Sequence, residues 1–87
     1  MNTSYARRIW LTGASSGIGL ALAKELLDAK HHLALTARTE APLQDLSNRY
    51  PGQVLLLIGD ITDGAQVKNM GDRILQEWGA LDCAILN

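Results

Sequence analysis

Thr12-Gly13-Ala14-Ser15-Ser16-Gly17-Ile18-Gly19 is the stretch on which the reading of this chain turns. Ahead of it, Arg8-Ile9-Trp10-Leu11-Thr12 is apolar and β-prone, a strand that ends abruptly at Gly13. Behind it the spacing changes. Ile18, Leu22 and Leu26 recur four apart, with Ala21 and Leu27 beside them, which is the face of a helix. Lys24, Glu25 and Asp28 take the other side. A glycine-rich turn therefore joins a strand to a helix.

Outward from that turn the alternation repeats. His32-Leu33-Ala34-Leu35-Thr36-Ala37 reads as a second strand, closed by the polar cluster Arg38-Thr39-Glu40. Pro42 suits the first turn of a helix, where its missing N–H leaves nothing unpaired. Leu43, Leu46 and Tyr50 mark a short amphipathic helix that Pro51-Gly52 stops. Val54-Leu55-Leu56-Leu57-Ile58 is apolar without alternation, as expected of a strand covered on both faces. Gly59-Asp60-Ile61-Thr62-Asp63 then forms a loop and helix start, with Gln66 placed to complete a capping box from Asp63. Val67, Met70, Ile74 and Trp78 form one buried helical stripe, and Gly79 ends the helix. Leu81 to Leu86 is a fourth strand, with Asn87 immediately beyond it.

The pattern is βαβαβαβ. It implies an α/β fold with a parallel sheet, right-handed crossovers and helices on both faces. At 87 residues the chain holds one domain, 1–87, and shows no repeat or linker. An apolar fourth strand at an open sheet edge is an aggregation hazard. The economical expectation is therefore the N-terminal part of a longer protein.

Composition narrows the function. Hydrophobic residues at 47% and charged residues at 20% exclude a disordered chain. A net charge of −1 excludes the broad basic field of a nucleic-acid binder. The longest apolar run, Val54 to Ile58, falls far short of the roughly 20 residues of a membrane span. The single cysteine, Cys83, cannot form an internal disulfide, so the expected setting is a reducing cytoplasm. Cys83 itself reads as a small buried core residue, and His31-His32 as a solvated pair on the edge opposite the glycine turn. Trp10 and Trp78 fit helix–sheet packing, and Arg7-Arg8 a solubilising end. No metal set is assigned.

The glycine turn is where chemistry enters. If a dinucleotide lies there, Gly13 permits the tight turn out of the strand. Gly17 lets the backbone approach the pyrophosphate, and Gly19 lets the helix pack closely on the sheet. The free N–H groups and positive dipole end of the helix then face the phosphates, with Ser15 and Ser16 adding hydroxyl donors. Where an NAD-selective site carries an acid at the end of the second strand, this chain has Thr36-Ala37-Arg38. Arg38 is a permanently charged fork that suits a 2′-phosphate, so NADP is the expected cofactor over NAD. The competing reading of Arg38 is a solvated arginine in a polar loop. Asp60 and Ile61 leave the third strand at the same sheet edge, where Asp60 can accept from the adenine amino group and Ile61 can flank the ring. The competing reading of Asp60 is a helix cap.

Thr12-Gly13-x-x-x-Gly17-x-Gly19, Arg38, Gly59-Asp60-Ile61 and Leu81-Asp82-Cys83-Ala84-Ile85-Leu86-Asn87 together resemble the short-chain dehydrogenase/reductase family, in order and across essentially the whole chain. The resemblance implies a Rossmann-like, doubly wound, three-layer αβα fold. It also implies that Ser15 and Arg38 hold the 2′-phosphate, Ile18 the pyrophosphate through its backbone N–H, and Asp60 and Ile61 the adenine. Asn87 matches the first residue of the family's Asn-Ala-Gly motif, which lines the cofactor pocket. The implied activity is NADP-dependent hydride transfer with a small carbonyl or alcohol substrate, in a full-length homodimer or homotetramer. The family's catalytic Ser and Tyr-x-x-x-Lys have no match here. Four residues after Tyr5 stands Ile9, and four after Tyr50 stands Val54, so no catalytic role is assigned. The alternative is a non-catalytic NADP-binding or regulatory protein of the same fold.

Overall fold

The computed structural model describes residues 6–15 and 17–86. In chain order the elements are β1 (Arg8–Thr12), α1 (Gly17–Asp28), β2 (His32–Ala37), α2 (Ala41–Arg49), β3 (Val54–Ile58), α3 (Gly64–Trp78) and β4 (Cys83–Ile85). All strand pairs are parallel, in one four-stranded sheet of order β3-β2-β1-β4. The chain steps outward from β1 to β3 and then crosses back to place β4 on the other side of β1. That reversal makes the carboxyl ends of the strands beside β1 the place where an open α/β sheet offers a ligand crevice.

Strand alternation divides the core into two layers. Ile9 and Leu11 of β1 and Leu33, Leu35 and Ala37 of β2 pack against Ala23 and Leu27 of α1 and Leu43 and Leu46 of α2. Ala34 and Leu57 face the other way, onto Met70 and Ile74 of α3, with Trp10, Leu55, Trp78 and Leu81 half-buried around them. Leu27, Leu33, Leu35, Leu43 and Leu46 are essentially inaccessible, and burying each such side chain contributes roughly 1.5–3 kcal/mol.

The helix stripe expected on α1 is corrected. Its buried row is Gly19, Ala23 and Leu27, whereas Ile18 is 78% exposed. Small side chains at the first two of these positions let the helix axis approach the sheet, leaving Leu22 and Leu26 at the fringe of the core. On α3 the expected stripe holds, with Met70 and Ile74 buried and Val67 and Trp78 half-buried. Asp63 caps that helix, accepting from the N–H groups of Ala65 and Gln66 at 3.0 and 3.4 Å. Gly79 closes it at φ 78°.

Both sheet edges depart from expectation. β3 is an edge strand, so its apolar run is half-buried and only Leu57 is fully covered. β4 spans Cys83–Ile85, shorter than the expected Leu81 to Leu86, and bonds to β1 alone. Ahead of it Asp82 clamps Arg8, donating its N–H to the Arg8 carbonyl at 2.9 Å and accepting the Arg8 N–H on Oδ2 at 2.7 Å. Cys83 is exposed rather than buried, because β4 has a strand on one side only. The histidines are half-buried rather than solvated. His31 Nδ1 accepts the Arg7 N–H at 3.1 Å, and His32 meets the Trp78 ring edge-on at a centroid distance of 6.4 Å. No helix among the described residues is long and apolar enough to cross a membrane.

Candidate functional site

Strand register assembles the site. Thr12 lies opposite Thr36, and Thr36 opposite Leu57, so the segments following β1, β2 and β3 leave the sheet at one edge. Gly13 turns the chain out of β1 at φ 64°, a conformation strained for residues with a Cβ. Ala14 is fully buried, and its N–H points to the Thr36 carbonyl at 3.4 Å, tying the turn to β2. Gly17 opens α1 at φ 45°, with nothing within 4 Å of where a Cβ would stand. The first turn of this 12-residue helix carries no acidic residue, so nothing on it offsets the positive end of its dipole.

Gly13, Ser15, Thr36, Ala37, Arg38, Gly59 and Ile61 line one cleft of about 210 Å³. The structure thus brings together Gly13, Ser15, Arg38 and Ile61 of the residues expected from sequence, with Asp60 between two lining positions. Gly19 is buried against the sheet, and Ile18 stands exposed on the first helical turn. Ser16 and Asn87, also expected here, lie outside the described residues.

The end of β2 carries no carboxylate. Thr36 turns its hydroxyl into the second core layer, where Oγ1 accepts from Trp10 Nε1 at 2.9 Å and donates to Met70 Sδ at 3.6 Å. The first charged side chain beyond it is Arg38, 74% exposed, whose Nη2 donates to Asp60 Oδ1 at 3.3 Å. Asp60 is free of the capping role, which Asp63 fills. Its Oδ1 also accepts the Thr62 N–H at 2.8 Å and the Thr62 hydroxyl at 2.7 Å. Those two bonds, hydroxyl first, hold the Asp60 carboxyl below the ordinary aspartate range, and the Arg38 charge adds a smaller pull in the same direction.

Sequence reasoning singled out neither Thr62 nor the true partner of Gln66. In a full capping box Gln66 would return to the Asp63 N–H. Instead Gln66 Oε1 accepts the Asp60 N–H at 2.8 Å, Nε2 donates to Asp63 Oδ2 at 3.2 Å, and the Asp63 N–H pairs with the Asp60 carbonyl at 3.1 Å. Gly59 makes room for this. A Cβ there would stand 2.5 Å from Gln66 Oε1 and 2.8 Å from Met70 Cε. The available signal was the Asp-x-Thr spacing at 60–62, which favours a side-chain-closed turn.

Chemically, the cleft brings together the Gly13 turn, Ser15 and the Arg38 guanidinium, and α1 begins at Gly17, two residues beyond Ser15, with no acidic residue in its first turn. That donor set fits the phosphates of a nucleotide. Among the described residues no group of three or more His, Cys, Asp or Glu is placed to hold a metal ion.

The sequence profile of the family described as short chain dehydrogenase matches residues 7–87. The Short-chain dehydrogenase chyC of Penicillium rubens is 32% identical over 80 residues, which is 92% of this chain and 31% of that protein. The 3-phenylpropionate-dihydrodiol/cinnamic acid-dihydrodiol dehydrogenase of Escherichia coli is 31% identical over 87 residues, all of this chain and 32% of that one. Among solved structures, a short-chain dehydrogenase from Streptomyces avermitilis superposes with a TM-score of 0.86 at 32% identity, over 92% of this chain and 30% of its own. This chain spans about a third of the length of the curated relatives it matches.

Proposed function

This chain belongs to the short-chain dehydrogenase family, and from that membership we propose that it is the cofactor-binding part of an NADP-dependent oxidoreductase acting on a small carbonyl or alcohol compound. The observation that carries the reading is the cleft itself. A glycine turn and Ser15 meet a guanidinium where an NAD-selective site would hold an acid, and α1 begins two residues beyond Ser15. Ser15 and Arg38 would bind the 2′-phosphate, with Ser16 next to Ser15 in sequence. The backbone around Gly17 and Ile18 would receive the pyrophosphate, Ile61 would flank the adenine with Asp60 beside it, and Asn87 would line the cofactor pocket.

When bound, the nicotinamide supplies the hydride donor or acceptor. The residues of this chain would bind and orient it. The dehydrogenase activity named for the relatives from Penicillium rubens and Escherichia coli supports an alcohol or carbonyl substrate. A cytoplasmic homodimer or homotetramer is the assembly this reading assigns to the full-length protein.

Titration with NADPH and NADH tests it. NADPH is expected to bind more tightly, and Arg38→Leu to remove most of the difference. Equal binding of both nucleotides by the parent protein, or preference for NADH, would overturn the assignment of Arg38.

A further inference from the structure

Arg38 is a long, rotamer-rich side chain standing three-quarters exposed at a strand end. Left free, such a side chain loses much conformational entropy each time it engages an anion. Here one guanidinium nitrogen is already held, by Asp60 Oδ1 at 3.3 Å, the one hydrogen-bond partner of that side chain among the described residues. The contact is single-point. A two-pronged carboxylate pair would consume the planar fork that recognises phosphate. One bond through Nη2 orients the fork and leaves its other donors available.

The carboxylate can orient Arg38 only if it is itself fixed, and the loop fixes it from several directions. The Gly59 N–H is bonded to the Ala37 carbonyl at 3.0 Å, and the Asp60 N–H to Gln66 Oε1 at 2.8 Å. On the side chain, Thr62 supplies two of the three donors on Oδ1, at 2.7 and 2.8 Å, both shorter than the contact to Arg38. The restraint therefore runs from loop to carboxylate to guanidinium. Arg38, Gly59 and Ile61 line the cleft on either side of this chain of contacts.

We propose that Thr62, acting through Asp60, is a positioning residue for Arg38, and that it sets how strongly the cleft discriminates a 2′-phosphorylated dinucleotide from an unphosphorylated one. The inference rests on the NADP reading above. Thr62 is not among the residues that line the cleft. Its hydroxyl holds the anchor that holds the arginine, so its effect falls on the ligand that Arg38 recognises.

The test is a matched titration of the parent protein, Thr62→Val, Thr62→Ser, Asp60→Asn and Arg38→Leu with NADPH and NADH. Thr62→Val keeps shape and backbone N–H but loses the hydroxyl donor. It should weaken NADPH binding by about three- to tenfold while changing NADH by less than about twofold. Thr62→Ser, which restores a hydroxyl, should recover most of the loss. Asp60→Asn keeps an acceptor oxygen and removes the charge, and should narrow the NADPH-to-NADH ratio at least as far. Should Thr62→Val fail to fold, Asp60→Asn carries the test alone. Equal weakening of both nucleotides, no change in the ratio, or tighter NADPH binding by Asp60→Asn would each overturn the proposal. If Arg38→Leu keeps the parent's ratio, the NADP reading fails and this inference with it. If Arg38→Leu collapses the ratio while Thr62→Val and Asp60→Asn leave it intact, the positioning role alone fails.

Discussion

At Gly59 a single added methyl group reaches the most of the site. A Cβ there would sit 2.5 Å from Gln66 Oε1, so Gly59→Ala must push Gln66 off the Asp60 N–H and loosen the loop beneath Arg38. The expected loss is about 0.5–1.5 kcal/mol in urea-induced unfolding, with weaker NADPH binding alongside. Unchanged stability would mean that Gln66 yields without cost. One residue on, the sign of a pH effect follows from the Asp60 carboxyl, which Thr62 and then Arg38 hold below its ordinary range. A lowered pKa contributes stability above the unfolded value and loses it as pH falls through the folded one. Asp60→Asn should therefore melt below the parent at neutral pH, with the gap closing below about pH 4. A gap that persists in acid would assign the effect to packing rather than charge. At this scale the left-handed turns at Gly13 and Gly17 and the place of Arg38 at the cleft could be read directly, because residue type and position after a strand decide them. Thr62 and Gln66 could not. Asp60, Thr62, Asp63 and Gln66 offer several competing caps within seven positions, and only the loop path decides which donor meets which acceptor.

The elements were easier to find than to orient. Every helix and strand appears where the spacing placed it, β4 in shortened form, yet α1 buries Gly19, Ala23 and Leu27 rather than the Ile18, Leu22 and Leu26 row. Hydropathy favours large side chains, while the sheet selects the face that lets the helix come close, and that face is marked by small ones. The two rows separate experimentally. Leu27→Ala is expected to cost about 2–5 kcal/mol in denaturant unfolding, and Ile18→Ala to stay within about 0.5 kcal/mol. Comparable losses would mean the helix is rotated from its described position. Where α1 and α2 end, Tyr50 Oη donates to Asp28 Oδ1 at 2.6 Å and ties the two helices together. That bond, foremost, raises the Tyr50 pKa above 10.0. A raised phenol pKa contributes stability that is present below the unfolded value and lost as pH rises through the folded one. Tyr50→Phe should lower the Tm by a few degrees at neutral pH, and thermal melts of the two proteins should converge above about pH 10.

Across the whole molecule, parallel order and register bring positions 13, 38 and 60 to one edge though they lie far apart in sequence, and the βαβ alternation was enough to anticipate that convergence. It was not enough to place the exposed surfaces, because burial of a strand depends on neighbours that alternation alone does not count. The first core layer is roofed by α1 and α2, whereas the second has α3 alone. Beside α3, over β1 and β4, a largely apolar hollow of about 290 Å³ opens between Trp10, Thr12, Ile61, Val67, Ala84 and Leu86. Leu86 is 81% exposed at its rim, and Cys83 and Ala84 stand uncovered on the edge strand. Apolar surface and an unpaired strand edge in one place favour association. A preparation of residues 1–87 alone should therefore sediment above its 9.4 kDa monomer mass, increasingly so as concentration rises. Leu86→Lys places a charge at the rim without touching either core layer, so it should shift the distribution toward monomer while leaving the Tm of the monomer unchanged. If the parent chain stays monomeric throughout the concentration series, the hollow is closed by its own side chains in solution. If both proteins associate equally, contact runs through the backbone edge of β4 and the apolar hollow plays no part.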